Sequence, residues 1–297
     1  MIDLHLHTTA SDGRLSPAQL VARASAAGLT TISVTDHDTV AAIAEVTEVA
    51  AAVNIQVVPG IEITAVDDGR DVHMLGYFFD PLSTTLATVL EHQRALRVAR
   101  VREIGAKLAA LGMPIDVESV LLAAAARPGS SVGRPQVARE LVQAGYVTSV
   151  QDAFDKWLAA GRPAFMPRTG PSPAAIVDTI HEAGGVASIA HPAVTKRDEL
   201  IAPLVAHGMD AIEVYHSDHS PEDQQLYTAM AKRLGVLVSG GSDFHGDDPA
   251  LNPSRTRRST LGVVTLPPGA FADLERSAFA RPGNTGRASA DRTRDHS

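Results

Sequence analysis

The 297-residue chain is 44% hydrophobic, 20% charged and only 4% aromatic, with a mean hydropathy of +0.02. That composition buries a full core, as one large α/β domain or a domain with an insertion, and suits helices on parallel strands better than an all-β sandwich. A net charge of −8 removes the global basic footprint expected of a duplex DNA binder, and the absence of cysteine excludes disulfides, zinc–thiolate sites and a cysteine nucleophile.

In chain order, β-branched apolar runs alternate with Ala-rich helical patterns. Strands are predicted at 2–7, 31–35, 56–61, 72–77, 186–190, 211–215, 236–239 and 261–265, and helices at 17–27, 40–53, 173–183, 199–207 and 221–234. Three of these helices open on Ser-Pro and close on Gly, at Ser16-Pro17 and Gly28, Ser172-Pro173 and Gly184, and Ser220-Pro221 and Gly235. Repeated βα units predict a parallel sheet or barrel. The rhythm breaks across 86–167, where only helical patterns occur: a long one through Gly112, then 117–126, 134–144 and 150–160. The expected organisation is therefore a discontinuous barrel, 1–85 and 168–280, carrying a helical insertion at 86–167 placed as a lid. The tail 281–297, rich in Arg, Ser, Asp and Gly, is expected to be disordered. His5 stands four residues past Met1, which leaves no room for a signal peptide, and no apolar run reaches membrane-spanning length. A cytoplasmic protein with no membrane partner is expected.

The chemistry-bearing residues gather at strand ends. His5 and His7, two apart on the first strand, project to one face, an arrangement that suits a divalent metal but also the solvated side of an edge strand. Asp12 follows in a Ser-Asp-Gly turn; then come Asp36-His37-Asp38, Glu62, His73, His191, Glu213 with His216, and Asp243 with His245. Taken singly, His73 or His191 reads as a core histidine. As a set, nearly every strand end supplies a metal-competent side chain, and a parallel barrel brings all those ends to one rim. Imidazoles and carboxylates without thiolate suit Mn, Zn or Fe, and Glu62 could bridge two ions. His92, in a helical stretch with Arg94 and Arg97, reads as surface, and His181 and His207 as capping or solvated groups.

The segments DLHLHTTASDG, VTDHDT, PGIEIT, HMLGY, AHP and GGSDFH, in that order from Asp3 to His245, resemble the PHP (polymerase and histidinol phosphatase) phosphoesterases. The resemblance implies a distorted (β/α)7 barrel with two or three divalent ions at its C-terminal rim, manganese favoured. It assigns one ion to His5, His7, Glu62 and Asp243, a second to Glu62, His73 and His191, and a third to Asp12, His37 and His245, with Asp36 and Asp38 orienting His37. The inserted segment SSVGRPQVARELVQAGYV is similar to the branch of nucleoside 3′,5′-bisphosphate phosphatases and 5′–3′ exoribonucleases, where it would bring Arg134 to substrate; many members have His where this chain has Gln136. Arg134 alternatively reads as a helix-start residue in a surface salt bridge, and Arg168 is a further substrate-binding candidate.

These readings imply in-line attack of an activated water on phosphorus, with His191 and Asp243 in the catalytic cluster and His216 or His219 serving substrate binding or proton transfer. The expected substrate is a small nucleotide or a short RNA 5′ end, through the 3′-phosphate of a nucleoside 3′,5′-bisphosphate. Other readings are a phosphatase of the histidinol-phosphate type, a nucleoside monophosphate phosphatase, a polymerase accessory module, or simple metal storage; the last two fit poorly with the missing polymerase body and with the lid.

Overall fold

Alternation sets the first strand. In β1 (Ile2–Leu6) the apolar Leu4 and Leu6 are buried on one side while Asp3 and His5, equally buried, face the other. The computed structural model describes residues 1–126, 129–246 and 260–281. Its seven strands, β1, β2 (Thr31–Val34), β3 (Gln56–Asp67), β4 (Arg70–Tyr77), β5 (Val186–Ile189), β6 (Ala211–His216) and β7 (Leu237–Gly241), lie in one sheet in sequence order. Just beyond β7 the chain bonds to β1, with Asp243 N–H on His5 O at 2.8 Å and His7 N–H on Phe244 O at 3.0 Å, so the sheet curls into a nearly closed barrel.

The all-parallel expectation is corrected at one strand. β4 pairs antiparallel with both β3 and β5, whereas every other strand pair in the sheet is parallel. The cause is local: Asp67 pairs with Arg70 across a two-residue loop in which Asp68 and Gly69 both have positive φ, 49° and 71°, the type I′ hairpin geometry that Asp-Gly favours. β3 therefore extends well past residue 61. His73 sits near the start of β4, opposite Thr64, and reaches the same rim as the ends of the parallel strands.

Helices α1 (Pro17–Ala26) and α2 (Ile43–Ala51) pack on the first strands. After β4 the chain enters α3 (Thr84–Ala110), α4 (Val117–Ala125), α5 (Arg134–Gln143), the single turn α6 (Val150–Ala153) and a π-helical turn, Phe154–Leu158, where one regular helix was expected. These helices share an apolar cluster of their own around Ile104, Leu108, Val137, Leu141 and Leu158. The barrel resumes with α7 (Pro173–Glu182), the short α8 (Pro192–Thr195), a 3-10 turn at Asp198–Leu200 leading into α9 (Ile201–His207), and α10 (Pro221–Leu234).

Two further corrections concern the C-terminal part. Residues 261–265 form turns rather than a strand: Leu266 N–H makes a bond to Ile2 O, at 2.9 Å, but no ladder forms. The unexpected helix α11 (Pro268–Phe279) lays Phe271, Leu274 and Ala278 against Ile2 and Leu4. Pro268 opens it at the first helical position, where proline is well tolerated. The expected disorder of the tail falls, from residue 282 onward, outside the described residues.

Candidate metal centre

Six histidines and three acids meet at the rim, from the ends of β1, β2, β5 and β7 or just beyond them and from within β3 and β4. The ligand atoms of His5, His7, Glu62 and Asp243 lie within 4.8 Å of one another, as do those of His7, Asp12, His37 and His245, and those of His37, Glu62 and His73. Glu62 is the hub. Its Oε2 is 3.3 Å from Nε2 of both His5 and His7 and 3.2 Å from His37 Nδ1; its Oε1 is 2.7 Å from His73 Nδ1 and 3.1 Å from His191 Nε2. Asp243 Oδ1 lies 3.2 Å from His7 Nε2, and His245 Nε2 lies 3.1 Å from Asp12 Oδ1. All nine residues expected as ligands thus come together, with His37 shared between two groups rather than confined to one.

The donor set fits divalent ions. His7 Nδ1 and Nε2, His37 Nδ1 and His73 Nδ1 are buried and close to carboxylates, yet none has hydrogen-bond alignment. Buried polar atoms are ordinarily satisfied, and nitrogens and oxygens that converge on shared space without bonding are what a cation would unite. The electrostatics agree. Burial pushes the Glu62 carboxyl up, but His37, His73, His5 and His191 hold it well below the usual carboxylate range. Burial likewise opposes protonation of His7, yet Asp243 and Glu62 lift it to about 10, whereas burial drives His37 down to about 3 against the pull of Glu62 and Asp12. Positive charge is thus wanted at the centre of the cluster, but neighbouring rings cannot all supply it as protons.

Backbone strain accompanies the ligands. Asp38, His191 and Asp243 have φ of 52°, 28° and 55°, a region non-glycine residues seldom occupy and one that recurs at functional sites. The acids flanking His37 do not orient its ring. Asp36 accepts from Thr8 N–H (2.7 Å), Thr8 Oγ1 (2.6 Å) and Ser11 Oγ (2.6 Å) and so pins the loop that carries Asp12; Asp38 pairs with Arg97 and takes the Thr64 N–H at 2.8 Å.

A cavity of about 380 Å³ opens over the cluster and is lined, beside the clustered His, Asp and Glu residues, by Arg97, Arg134, Pro135 and Phe154 of the inserted helices and by Arg168 and Val194. Arg134 stands at the start of α5, pairs with Asp71 at 3.1 Å and lies over the rings of Phe154 and Phe165. Arg168 lies 3.6 Å from both Asp38 and Asp71. Three guanidiniums thus face two carboxylates. Burial, then Arg97, lowers Arg168 to about 9 despite those acids. Arg97, which entered the sequence reading only as a neighbour of His92, is buried. Gln136 departs from the branch pattern without losing a role: its side chain accepts from Gly133 N–H at 2.9 Å and donates to Ser11 O at 2.6 Å, while Arg139 donates to Asp12 O, so α5 grips the Asp12 loop.

His216 and His219, expected to meet substrate, are buried behind the cluster and do not line the cavity. His216 Nδ1 accepts the Asp218 N–H at 3.1 Å, so its proton is on Nε2 and is directed to Asp243 Oδ2 at 3.3 Å. His219 Nδ1 donates to Val214 O at 2.8 Å. His181 and His207 pair with Asp210 and Asp178, away from the site. Glu213, noted in sequence as part of a strand end but not as a site residue, contacts His5 and His191. The available signal was a carboxylate in a strand whose neighbours Ile212 and Val214 join the apolar cluster beneath α9 and α10.

A barrel rim bearing this His, Asp and Glu cluster under a basic cavity wall defines a metal-dependent phosphoesterase. Comparison with known proteins agrees. Residues 3–130 match the PHP domain model. A 5′-3′ exoribonuclease of Haemophilus influenzae is 38% identical over 248 residues, covering 82% of this chain and 89% of that protein. A 3′,5′-nucleoside bisphosphate phosphatase of Chromobacterium violaceum is 34% identical over 272 residues, covering 90% and 93%. A solved Bifidobacterium adolescentis structure, assigned as a metal-dependent phosphoesterase, superposes with a TM-score of 0.82 at 32% identity, covering 92% of this chain and 94% of that one. The chain belongs to the PHP family. Among the described residues no helix is long and apolar enough to cross a membrane.

Proposed function

We propose that this enzyme removes the 3′-phosphate of nucleoside 3′,5′-bisphosphates and also trims short RNA from a 5′ end, with residues 86–167 serving as a lid over the barrel. The observation that carries this reading is the excess of guanidinium over carboxylate, Arg97, Arg134 and Arg168 lining the cavity with Asp71, and Asp38 buried behind them. A site with cation ligands and these guanidiniums in one cavity suits a substrate with two phosphate groups. A volume of about 380 Å³ is also of single-nucleotide scale, within the usual range for small-molecule sites.

In this reading His5, His7, Glu62 and Asp243, with Asp12, His37, His73, His191 and His245, hold two or three divalent ions, manganese favoured. When bound, such ions stabilise the charge growing on the phosphoryl oxygens and activate water as a nucleophile at neutral pH. The residues of the chain do the rest. Arg134 and Arg168 clamp the phosphate that is not cleaved, as planar guanidiniums do best. Phe154, Pro135 and Val194 offer an apolar surface to a base. His216 acts through Asp243, whose Oδ2 it bonds, leaving Oδ1 on the side of His5 and His7. The names of the two relatives support both activities, and neither favours one over the other.

The test is a manganese-reconstituted assay comparing adenosine 3′,5′-bisphosphate, AMP and a short 5′-phosphorylated RNA. Arg134→Ala should raise KM for the bisphosphate at least about tenfold more than KM for AMP, the loss of roughly one charged hydrogen-bonding partner. Equal losses on both substrates would sink the two-phosphate reading, and release of phosphate from amino-alcohol phosphates alone would favour the histidinol-phosphate type.

A further inference from the structure

We propose that Glu213 is a positioning residue that sets two ligands of the metal centre at once, the ring of His5 and the backbone of His191, and thereby governs how tightly the centre loads. The proposal rests on the metal-centre reading of the His5, His7, Glu62 and Asp243 cluster.

Glu213 is fully buried on β6, and both of its oxygens are engaged. Oε1 lies 2.8 Å from His5 Nδ1, and Oε2 accepts the His191 N–H at 2.6 Å. An ionised carboxylate can only accept, so His5 must carry a proton on Nδ1. In the neutral ring that a cation requires, Nε2 is then bare, and that atom faces Glu62 Oε2 at 3.3 Å and Asp243 Oδ1 at 3.4 Å. The second contact works on the main chain. His191 holds a φ of 28°, a sparsely populated conformation that persists only where the surroundings impose it. With its N–H fixed by Glu213 and Pro192 following, the ring is turned so that Nε2 comes to 3.1 Å from Glu62 Oε1. One side chain therefore sets the tautomer of a ligand from β1 and the backbone of a ligand after β5. Outer acids of this kind commonly set metal affinity as strongly as they set activity.

Glu213→Gln isolates the effect, because an amide cannot accept at both ends. If its oxygen keeps the His191 N–H, its NH2 meets His5 Nδ1, which must then give up its proton and block Nε2. If it turns over, two donors oppose one another at His191. The experiment measures zinc affinity of the full chain by competition with a chromophoric chelator and the His5 tautomer by nitrogen-15 NMR of histidine-labelled, zinc-loaded protein. The expected result is an Nδ1-protonated His5 in the wild type, and in E213Q a zinc affinity lower by about 10–100-fold, with a shift of His5 towards the Nε2-protonated form. A purely structural role would lower the melting temperature without moving the tautomer. Wild-type affinity and tautomer in folded E213Q would overturn the proposal alone, whereas a wild type that takes up no zinc or manganese would overturn the metal-centre reading with it. Should E213Q not fold, the wild-type spectrum still decides: Nε2-protonated His5 in zinc-loaded protein contradicts the proposal, and Nδ1-protonated His5 supports it.

Discussion

Asp38 shows how much of the site depends on a buried carboxylate that does not itself line the cavity. Burial raises its carboxyl pKa, but Arg97 and Arg168 more than offset this, and Thr64 N–H completes its bonding. Arg97 also donates to Thr64 Oγ1 at 3.0 Å, and Gln93 donates to Thr64 O at 2.6 Å. Arg97→Met should therefore leave Asp38 with the more distant Arg168 and destabilise the fold by about 3–5 kcal/mol, the usual outcome when one partner of a buried pair is removed. Urea unfolding monitored by circular dichroism would check this, and a loss below about 1 kcal/mol would show that Arg168 alone suffices. The nine residues that cluster at the rim were legible in sequence because histidines and acids at strand ends have few other reasons to recur. Arg97 was not, because charge alone reads as surface. The missed signal was positional: Leu86, Leu90, Gln93, Arg97, Arg100, Ile104 and Leu108 fall on one buried helical stripe, and three polar residues in the middle of such a stripe mean that it crosses a polar site.

At the level of elements, strand closure and ligand placement are the same problem. Where β7 meets β1, a Cβ on Gly241 would lie 2.2 Å from His5 N and 2.4 Å from His5 Cβ, so only glycine lets the two strands approach. Gly241→Ala should push His5 out of register with Glu62, cost about 1–3 kcal/mol as overpacking does, and reduce bound metal per chain while leaving the helices intact. Metal analysis beside far-ultraviolet circular dichroism would test it, and full metal content in the variant would contradict it. The reversed β4 shows why strand direction escaped the sequence reading. Period and burial place a strand but are blind to its direction, and the Asp68-Gly69 signal was crowded by the charged residues around it. The lost strand at 261–265 and the missed α11 have a related cause: short apolar runs near Pro and Gly fit either structure until packing against Ile2 and Leu4 decides.

For the whole molecule, the crowded rim links folding to its ions. Buried imidazole nitrogens that lack hydrogen bonds are tolerated at a cost that a bound cation relieves, so a chelator should lower the melting temperature and manganese should restore it in a concentration-dependent way. The gain is about 2.7 kcal/mol at a hundredfold excess over Kd. Calorimetry of chelated and reconstituted protein gives the answer, and an unchanged melting temperature would mean that the cluster is stable without ions. The reversal of β4 also has a consequence for the inserted helices. Because β4 runs away from the rim, the chain leaves the barrel at the end opposite the site, and α3 must climb back alongside it. Its 27 residues give a rod of about 40 Å. The first half carries Gln93 and Arg97 to the barrel, and the second carries Ile104 and Leu108 into the apolar cluster of the other inserted helices. The two halves share one continuous helix, so the bearing of the cavity roof is fixed like the second hand of a clock by the number of residues between them, each worth about 100°. Surface loops between the inserted helices tolerate a change of length, but the middle of α3 can gain or lose residues only by re-aiming everything above it.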